Sequence, residues 1–367
     1  MSQTNLVYGV ADKPSWPKTL LFALQQVLAI LAATIAVPAI INNNAALTDA
    51  NAMSPAAALF GAGVGTLVYL LFTKFKSPVF LGSSFAFLGS MTAAFAGAAT
   101  VATGYLGLII GALLAGLVYV ALSFVVKFAG TNWINKIMPA VVIGPTVAII
   151  GLSLAGNAVG DLFKGNFMYE VSSYDTATGE LVKNMASRAN PYLCLFCGLV
   201  TLITTIVISV YGKKTLKMIP FVIGIAAGYA VAAIFTAIGW AFGDAHDGLK
   251  IINFEAFKQI EWLPKFTFVK MFTLDGIKFD GAFFATIAIG YVPVAFVVFA
   301  EHIADHKNLS TIIGQDLLKE PGLNRTLLGD GVGSIAGAFF GGCPNTTYGV
   351  EKMLFVFWIK WKTLLTH

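Results

Sequence analysis

Glu301, His302, Asp305 and His306 are the densest set of side chains in this sequence able to move a proton or grip a polar ligand. Glu301 and Asp305 are four residues apart, as are His302 and His306, so on a helix each pair shares a face. They follow an apolar run from Ile287 to Ala300. Two readings stand. The run is a helix end that dips into cytoplasmic water, or it is a cargo or proton site at membrane depth, where ionisable groups are costly and mark transport paths. Asp330 and Glu351 are the other carboxylates of this kind. The His-x-x-x-His spacing admits a metal ion, but no third ligand is in view, so no metal is expected. Cys194 and Cys197 have CxxC spacing without a second pair, inside an apolar stretch, and read as packing residues. No nucleophile–base pair, P-loop or dinucleotide glycine pattern occurs. Neither an enzyme nor ATP-driven machinery is implied, and no cofactor.

The elements that must position these groups are membrane spans. Of the 367 residues, 57% are hydrophobic and 11% charged, with a mean hydropathy of +0.80. A soluble domain carries about 25% charge to face water. The composition excludes a soluble enzyme and a disordered chain. The net charge of +5 is scattered between apolar runs, which excludes nucleic acid as a partner. The 37 glycines suit closely packed membrane helices.

Stretches without Asp, Glu, Lys or Arg run over 19–48, 50–73, 77–126, 137–160, 189–212, 218–243, 281–300 and 331–350. A span needs about 20 apolar residues. The stretch 77–126 holds two, with a turn near Gly97 to Gly104, so nine crossings are expected. Lysines fall in alternate short loops, at Lys74 and Lys76, Lys127 and Lys136, and Lys213, Lys214 and Lys217. The positive-inside bias then puts the N-terminus in the cytoplasm, with 1–18 as a cytoplasmic tail. No cleavable signal peptide is visible. Residues 170–183 suggest a hairpin in a long outside loop.

Two segments echo one another. Gly82-Ser83-Ser84-Phe85-Ala86 follows Pro78, and Asn345-Thr346-Thr347-Tyr348-Gly349 follows Pro344. Each joins two hydroxyl residues, an aromatic and a small residue in a poor helix sequence. Secondary transporters use interrupted helices at matching places in two repeats, with exposed backbone groups facing cargo. An aromatic ring beside free backbone groups suits a flat polar ring.

At these blocks, with Leu24-Gln25, Val37-Pro38, Ala300-Glu301-His302, Asp316-Leu317-Leu318 and Pro321-Gly322-Leu323, the chain resembles the nucleobase–ascorbate (nucleobase:cation symporter-2) transporter family, nearest its bacterial uracil permease branch. The resemblance implies an all-α polytopic fold of seven plus seven inverted segments, with short extended strands in segments three and ten. Residues 19–126 would be core segments one to four, 137–243 gate segments five to seven, 244–280 an extracytoplasmic loop, and 281–349 core segments eight, nine and the start of ten. It further implies proton-coupled import of uracil across the cytoplasmic membrane, with xanthine or another purine as the alternative cargo, and a possible homodimer in the full-length form. By position, Glu301 would bond the nucleobase, Phe85 would pack on its ring, and Tyr348 and Gly349 would offer ring and backbone contacts. Glu301 and Asp305 would be the proton-coupling candidates. Gln26, His302, Asp330 and Glu351 are secondary candidates. Gln25-Gln26 replaces a common Gln-His. The family's Tyr-Gly-Glu-Asn becomes Tyr348-Gly349-Val350-Glu351, which would turn the carboxylate by about 100° on a helix. Residues 350–367 depart from the family, carrying Lys352, Lys360 and Lys362 where an outside segment is expected. The expectation is therefore a truncated chain that does not itself transport, either a fragment or a regulatory membrane subunit.

Overall fold

The structure is a computed structural model that describes residues 10, 12–47, 51–153, 155–165, 168–174, 181–212, 220–254, 263–274 and 276–348. Residues Gly349, Glu351 and the tail 350–367 lie outside these, so the expectations placed on them do as well. The described chain is mostly helical. Its helices are α1 (Trp16–Asn44), α2 (Pro55–Phe72), α3 (Leu88–Ala96), α4 (Val101–Ala129), α5 (Asn132–Ile137), α6 (Ala140–Ser153), α7 (Ala155–Leu162), α8 (Pro191–Tyr211), α9 (Pro220–Ala241), α10 (Thr267–Thr273), α11 (Gly281–Ile313) and α12 (Leu323–Gly341). The strands are β1 (Leu81–Ser83), β2 (Met168–Tyr174), β3 (Leu181–Ser187) and β4 (Asn345–Thr347). Among the described residues, α2, α4, α8, α9 and α11 are long and apolar enough to cross a membrane.

The chain divides into two compact units. The first comprises 1–152 and 263–367. Its centre is α12, packed between α2 and α4. Glycines make this approach possible. A Cβ on Gly61, Gly65 or Gly337 would strike backbone or side chain of the facing segment. Without a hydrophobic drive between helices in lipid, such backbone proximity is what gives dispersion contact its strength. Helix α4 starts at Thr100, whose hydroxyl accepts from the Thr103 N–H, and stops at Gly130 with φ +71°. Helix α11 starts at Asp280, whose carboxylate accepts from the Phe283 N–H at 2.7 Å, and ends at left-handed Gly314. These caps satisfy orphan N–H groups at one end and let the chain turn at the other.

The second unit spans 153–262. Thr201 and Thr205 of α8 fill the space beside Gly224 and Gly228 of α9. Strands β2 and β3 form an antiparallel hairpin, Met168 opposite Ser187 and Tyr174 opposite Leu181. Cys194 and Cys197 are buried in a cluster with Ala189, Ala232, Ile251 and Ile252, as packing residues would be.

Of the two readings of the acidic and histidine cluster, the helix end falls, because α11 continues to Ile313 and His302 and His306 are fully buried. Sequence alone hid this, since Lys307 and Asn308 mimic a helix meeting water. One expectation changes outright. The stretch 331–350 is not one apolar span. Helix α12 begins earlier, at Leu323, and ends at Gly341, so Asp330 lies inside a helix and 345–347 form a strand. Counting only uncharged residues cannot see a helix that carries a buried carboxylate.

Candidate functional site

Strands β1 and β4 pair antiparallel, with Leu81 opposite Thr347, Gly82 opposite Thr346 and Ser83 opposite Asn345. The Ser84 N–H extends the pair by donating to the Pro344 carbonyl at 2.9 Å. A prolyl residue, glycine, and hydroxyl side chains that compete for backbone groups keep both segments out of helix. A strand at membrane depth still needs partners for its outer backbone groups. The Thr66 hydroxyl accepts from the Leu81 N–H at 2.9 Å and donates to the Ala62 carbonyl at 2.7 Å. The Ser334 hydroxyl accepts from the Asn345 N–H at 3.0 Å. Asn345 Nδ2 donates to the Gly61 carbonyl at 3.1 Å. The strand pair is thus riveted to α2 and α12 by side chains.

The aromatic residues expected to meet a ring sit on this pair. Phe85 is half-buried and opens a single helical turn, Phe85–Phe87, straight after β1. Just before it, the Ser84 hydroxyl is buried and makes no hydrogen bond among the described residues. Tyr348 follows β4 directly. Its hydroxyl donates to the Ser83 carbonyl at 3.1 Å, and its ring stacks on Phe80 with centroids 6.0 Å apart. The Tyr348 ring fills the space that a Cβ on Gly82 would need. Phe87 stacks on Tyr291 of α11 at 5.5 Å.

Helix α11 brings the acids. Glu301 is half-buried and within electrostatic range of Tyr348 and of Tyr119 on α4. Asp305 is buried, and its Oδ2 accepts from the Thr347 hydroxyl of β4 at 3.0 Å. Glu301 and Asp305 therefore share the face turned to the strand pair, as their spacing predicts. His302 and His306 do not join them. His302 Nδ1 lies 2.7 Å from Asp330 Oδ2, and its Nε2 lies 3.1 Å from Thr326 Oγ1, both on α12. His306 Nδ1 meets the His302 carbonyl at 2.8 Å, and its Nε2 meets the Tyr69 hydroxyl at 2.7 Å. Gln26 is half-buried on α1. Among the described residues no group of three or more His, Cys, Asp and Glu side chains is arranged to hold a metal.

Sequence reasoning missed Gly82 as the seat of Tyr348, Thr347 as the partner of Asp305, and the His302–Asp330 pair. Gly82 and Thr347 stand inside the echoed blocks, so their positions were visible but their contacts were not. The His302–Asp330 pair joins residues 28 apart across two helices, which no spacing rule reports.

Outside the membrane-spanning helices, two described carboxyl groups have shifted acidity. The Asp247 carboxyl is held below the usual range, chiefly by its hydrogen bond from Lys250 at 2.7 Å and then by the charges of Lys250 and Arg188. The Glu320 carboxyl is likewise lowered by Lys76, which bonds it at 2.6 Å.

Comparison with known proteins gives a single picture. The profile described as "Permease family" matches residues 17–351. The uracil permease of Bacillus subtilis is 36% identical over 350 residues, covering 95% of this chain and 69% of that protein. The uracil permease of Escherichia coli K12 is 33% identical over 346 residues, covering 94% of this chain and 67% of that protein. A putative purine permease of Clostridium perfringens is 28% identical over 351 residues, covering 95% and 66%. With a profile match along nearly its whole length and relatives above 30% identity, the chain belongs to this permease family, the nucleobase–ascorbate transporters.

Proposed function

We propose that this chain carries the nucleobase site of a proton-coupled permease, with uracil as cargo, imported across the cytoplasmic membrane from an N-in topology. The observation that supports this most is the β1–β4 pair, with Phe85 just beyond β1 and Tyr348 just beyond β4 against Gly82, while Asp305 of α11 bonds Thr347 and Glu301 lies within electrostatic range of Tyr348. A planar base gains burial and stacking against the two rings. Its polar edge needs carboxylate and backbone partners to offset lost hydration. Glu301 supplies a carboxylate for an imide N–H, and Gly349 would supply backbone groups beyond Tyr348. Proton coupling follows if Glu301 or Asp305 takes up a proton as cargo binds. In the core-and-gate reading, residues 19–126 and 281–349 carry cargo past 137–243, and segments one to seven are the inverted repeat of those from eight onward.

A purine cargo is the second reading, supported by the 28% identity to a putative purine permease. Uptake of labelled uracil by cells expressing a full-length form of the permease separates them. Uracil uptake that 5-fluorouracil competes with, xanthine does not, and an uncoupler abolishes is the expected result. Competition by xanthine alone favours the purine reading, and uptake that ignores the uncoupler removes proton coupling.

A further inference from the structure

Deep between α4, α11 and α12 lies a histidine–aspartate pair that the ring site does not use. His302 is 0% exposed and Asp330 1%. Hydrogen-bond bookkeeping fixes their protons. A threonine hydroxyl has one hydrogen. Thr326 spends it on the Leu323 carbonyl at 3.1 Å. Toward His302 the Thr326 oxygen can then only accept, so His302 Nε2 carries a hydrogen. The other contact, Nδ1 to Oδ2 at 2.7 Å, needs one hydrogen more, resting on either atom. Imidazolium with carboxylate, or neutral imidazole with carboxylic acid, is the same count. In both, the pair is neutral overall and holds one proton between its members.

Its surroundings do not supply a substitute. Facing the pair are Tyr119 of α4, whose ring meets His302 edge-on at 5.9 Å, and Glu301, Asp305 and His306 of α11. Tyr69 of α2 stands behind His306. Among the described residues, no Lys or Arg pairs with Asp330. His306 has a definite role as well. A carbonyl can only accept, so His306 Nδ1 donates to the His302 carbonyl. With Tyr69 donating to Nε2, and Ser77 donating to the Tyr69 oxygen at 2.8 Å, the His306 ring is satisfied while neutral. The two imidazoles stack with centroids 4.0 Å apart. A second cation there would face the first, so the stack accepts one extra proton and not two.

We propose that His302 and Asp330 bind one proton as a unit, at a site distinct from the ring pocket, and that its occupancy holds α12 against α11. Removing the proton would leave a net negative charge in the interior, held by an Nδ1–H only after the ring changes tautomer and the Thr326 hydroxyl leaves the Leu323 carbonyl for Nε2. An uncompensated buried charge of this kind is strongly destabilising. This inference does not depend on which cargo the protein takes.

Proton linkage tests it. Free Asp and His lose their protons near about 3.9 and 6.5. Counting the Nε2 hydrogen together with the shared one, the unfolded pair holds two protons between those values, and above about 6.5 it holds one. The folded pair holds two throughout, so wild-type stability is level below about 6.5 and then falls as pH rises, roughly tenfold in the folding constant per pH unit. Asp330→Asn keeps a donor to Nδ1 but carries no exchangeable charge. Its folded site holds one proton, so its stability falls below about 6.5 and is level above. The ratio of wild-type to Asp330→Asn folding constants, measured on the purified 367-residue chain by denaturant titration, should therefore fall roughly tenfold per pH unit from about pH 5 to 8.5. A flat ratio overturns the proposal, because it means an ionised Asp330 beside a neutral ring. If Asp330→Asn fails to fold, ¹⁵N spectra of the imidazoles in the wild type decide, with His302 assigned by its loss in His302→Gln. A ring protonated at Nε2, with a hydrogen-bonded Nδ1 unchanged from pH 6 to 8.5, is expected. A ring that titrates near the free-histidine value, or that carries its hydrogen on Nδ1 with Nε2 bare, refutes it.

Discussion

Tyr348 stands where a side chain on Gly82 would be: a Cβ built on Gly82 would lie 2.6 Å from the tyrosine Cδ2. The two residues sit on opposite strands, and the Tyr348 hydroxyl reaches past Gly82 to the Ser83 carbonyl at 3.1 Å. The glycine is therefore a seat for the ring. Gly82→Ala should destabilise the purified chain by about 1–3 kcal/mol, the usual range for overpacking, and should weaken nucleobase binding by displacing the ring. Because the clash needs both partners, Tyr348→Ala should lose much of its effect in the Gly82→Ala background. Thermal unfolding of the two single variants and the double variant checks this, and simple additivity would separate the two residues.

Glu301→Gln keeps shape but loses charge and proton capacity. It should abolish uracil uptake while leaving membrane insertion intact. Phe85→Ala should weaken binding by about 1–3 kcal/mol, the range for base–aromatic stacking. Equilibrium binding of labelled uracil to the purified variants is the measurement. Undiminished binding in either would remove that residue from the site.

Thr347→Val replaces the hydroxyl that donates to Asp305 with a methyl group of similar size. A hydrogen bond of this kind contributes about 0.5–1.5 kcal/mol. The variant should lose stability in that range and should shift the pH profile of uptake if Asp305 takes part in coupling. Thr347→Ser, which keeps the donor, should restore both. An unchanged profile in Thr347→Val with lowered stability would leave Asp305 a purely structural role.

The Asp247 carboxyl, lowered by Lys250 and Arg188, gives the second unit an acid-side dependence. Its folded-state value lies below the unfolded one. Its contribution is therefore present above about pH 3.9 and is lost as pH falls through the depressed folded value. Asp247→Asn should flatten that part of the stability curve, read by tryptophan fluorescence between pH 2.5 and 5. A curve as steep as the wild type would show that Asp247 is not responsible.

Much of the architecture was legible because lipid allows few solutions. Uncharged runs of twenty residues become helices, as α4, α8 and α9 do. Breaks at Pro78 and Pro344, with Gly, Ser and Thr after them, marked the two places where helix gives way to strand. Tertiary pairing was not legible. Glu301 and Asp305 follow helical spacing, so their common face was visible, yet Thr347 as their neighbour was not. Asp330 looked like the boundary of a span because a charge inside a helix resembles a charge at its end. His302 opposite it gives the buried carboxyl a hydrogen-bond partner at 2.7 Å.

The strand pair also sets an order of assembly. Ser83 and Tyr348 are 265 positions apart, and among the described residues the ladder partners of β1 lie in β4. A growing chain adds about 5–20 residues each second, so β1 waits roughly 13–50 seconds for its partner. Through that interval its edge is unpaired among helices already inserted, in surroundings where an unbonded amide is costly. The strand pair thus cannot form until every helix that precedes β4 has been made. Thr66, whose hydroxyl takes the Leu81 N–H from within the neighbouring helix α2, is available from the start and can hold the open edge until the second strand arrives.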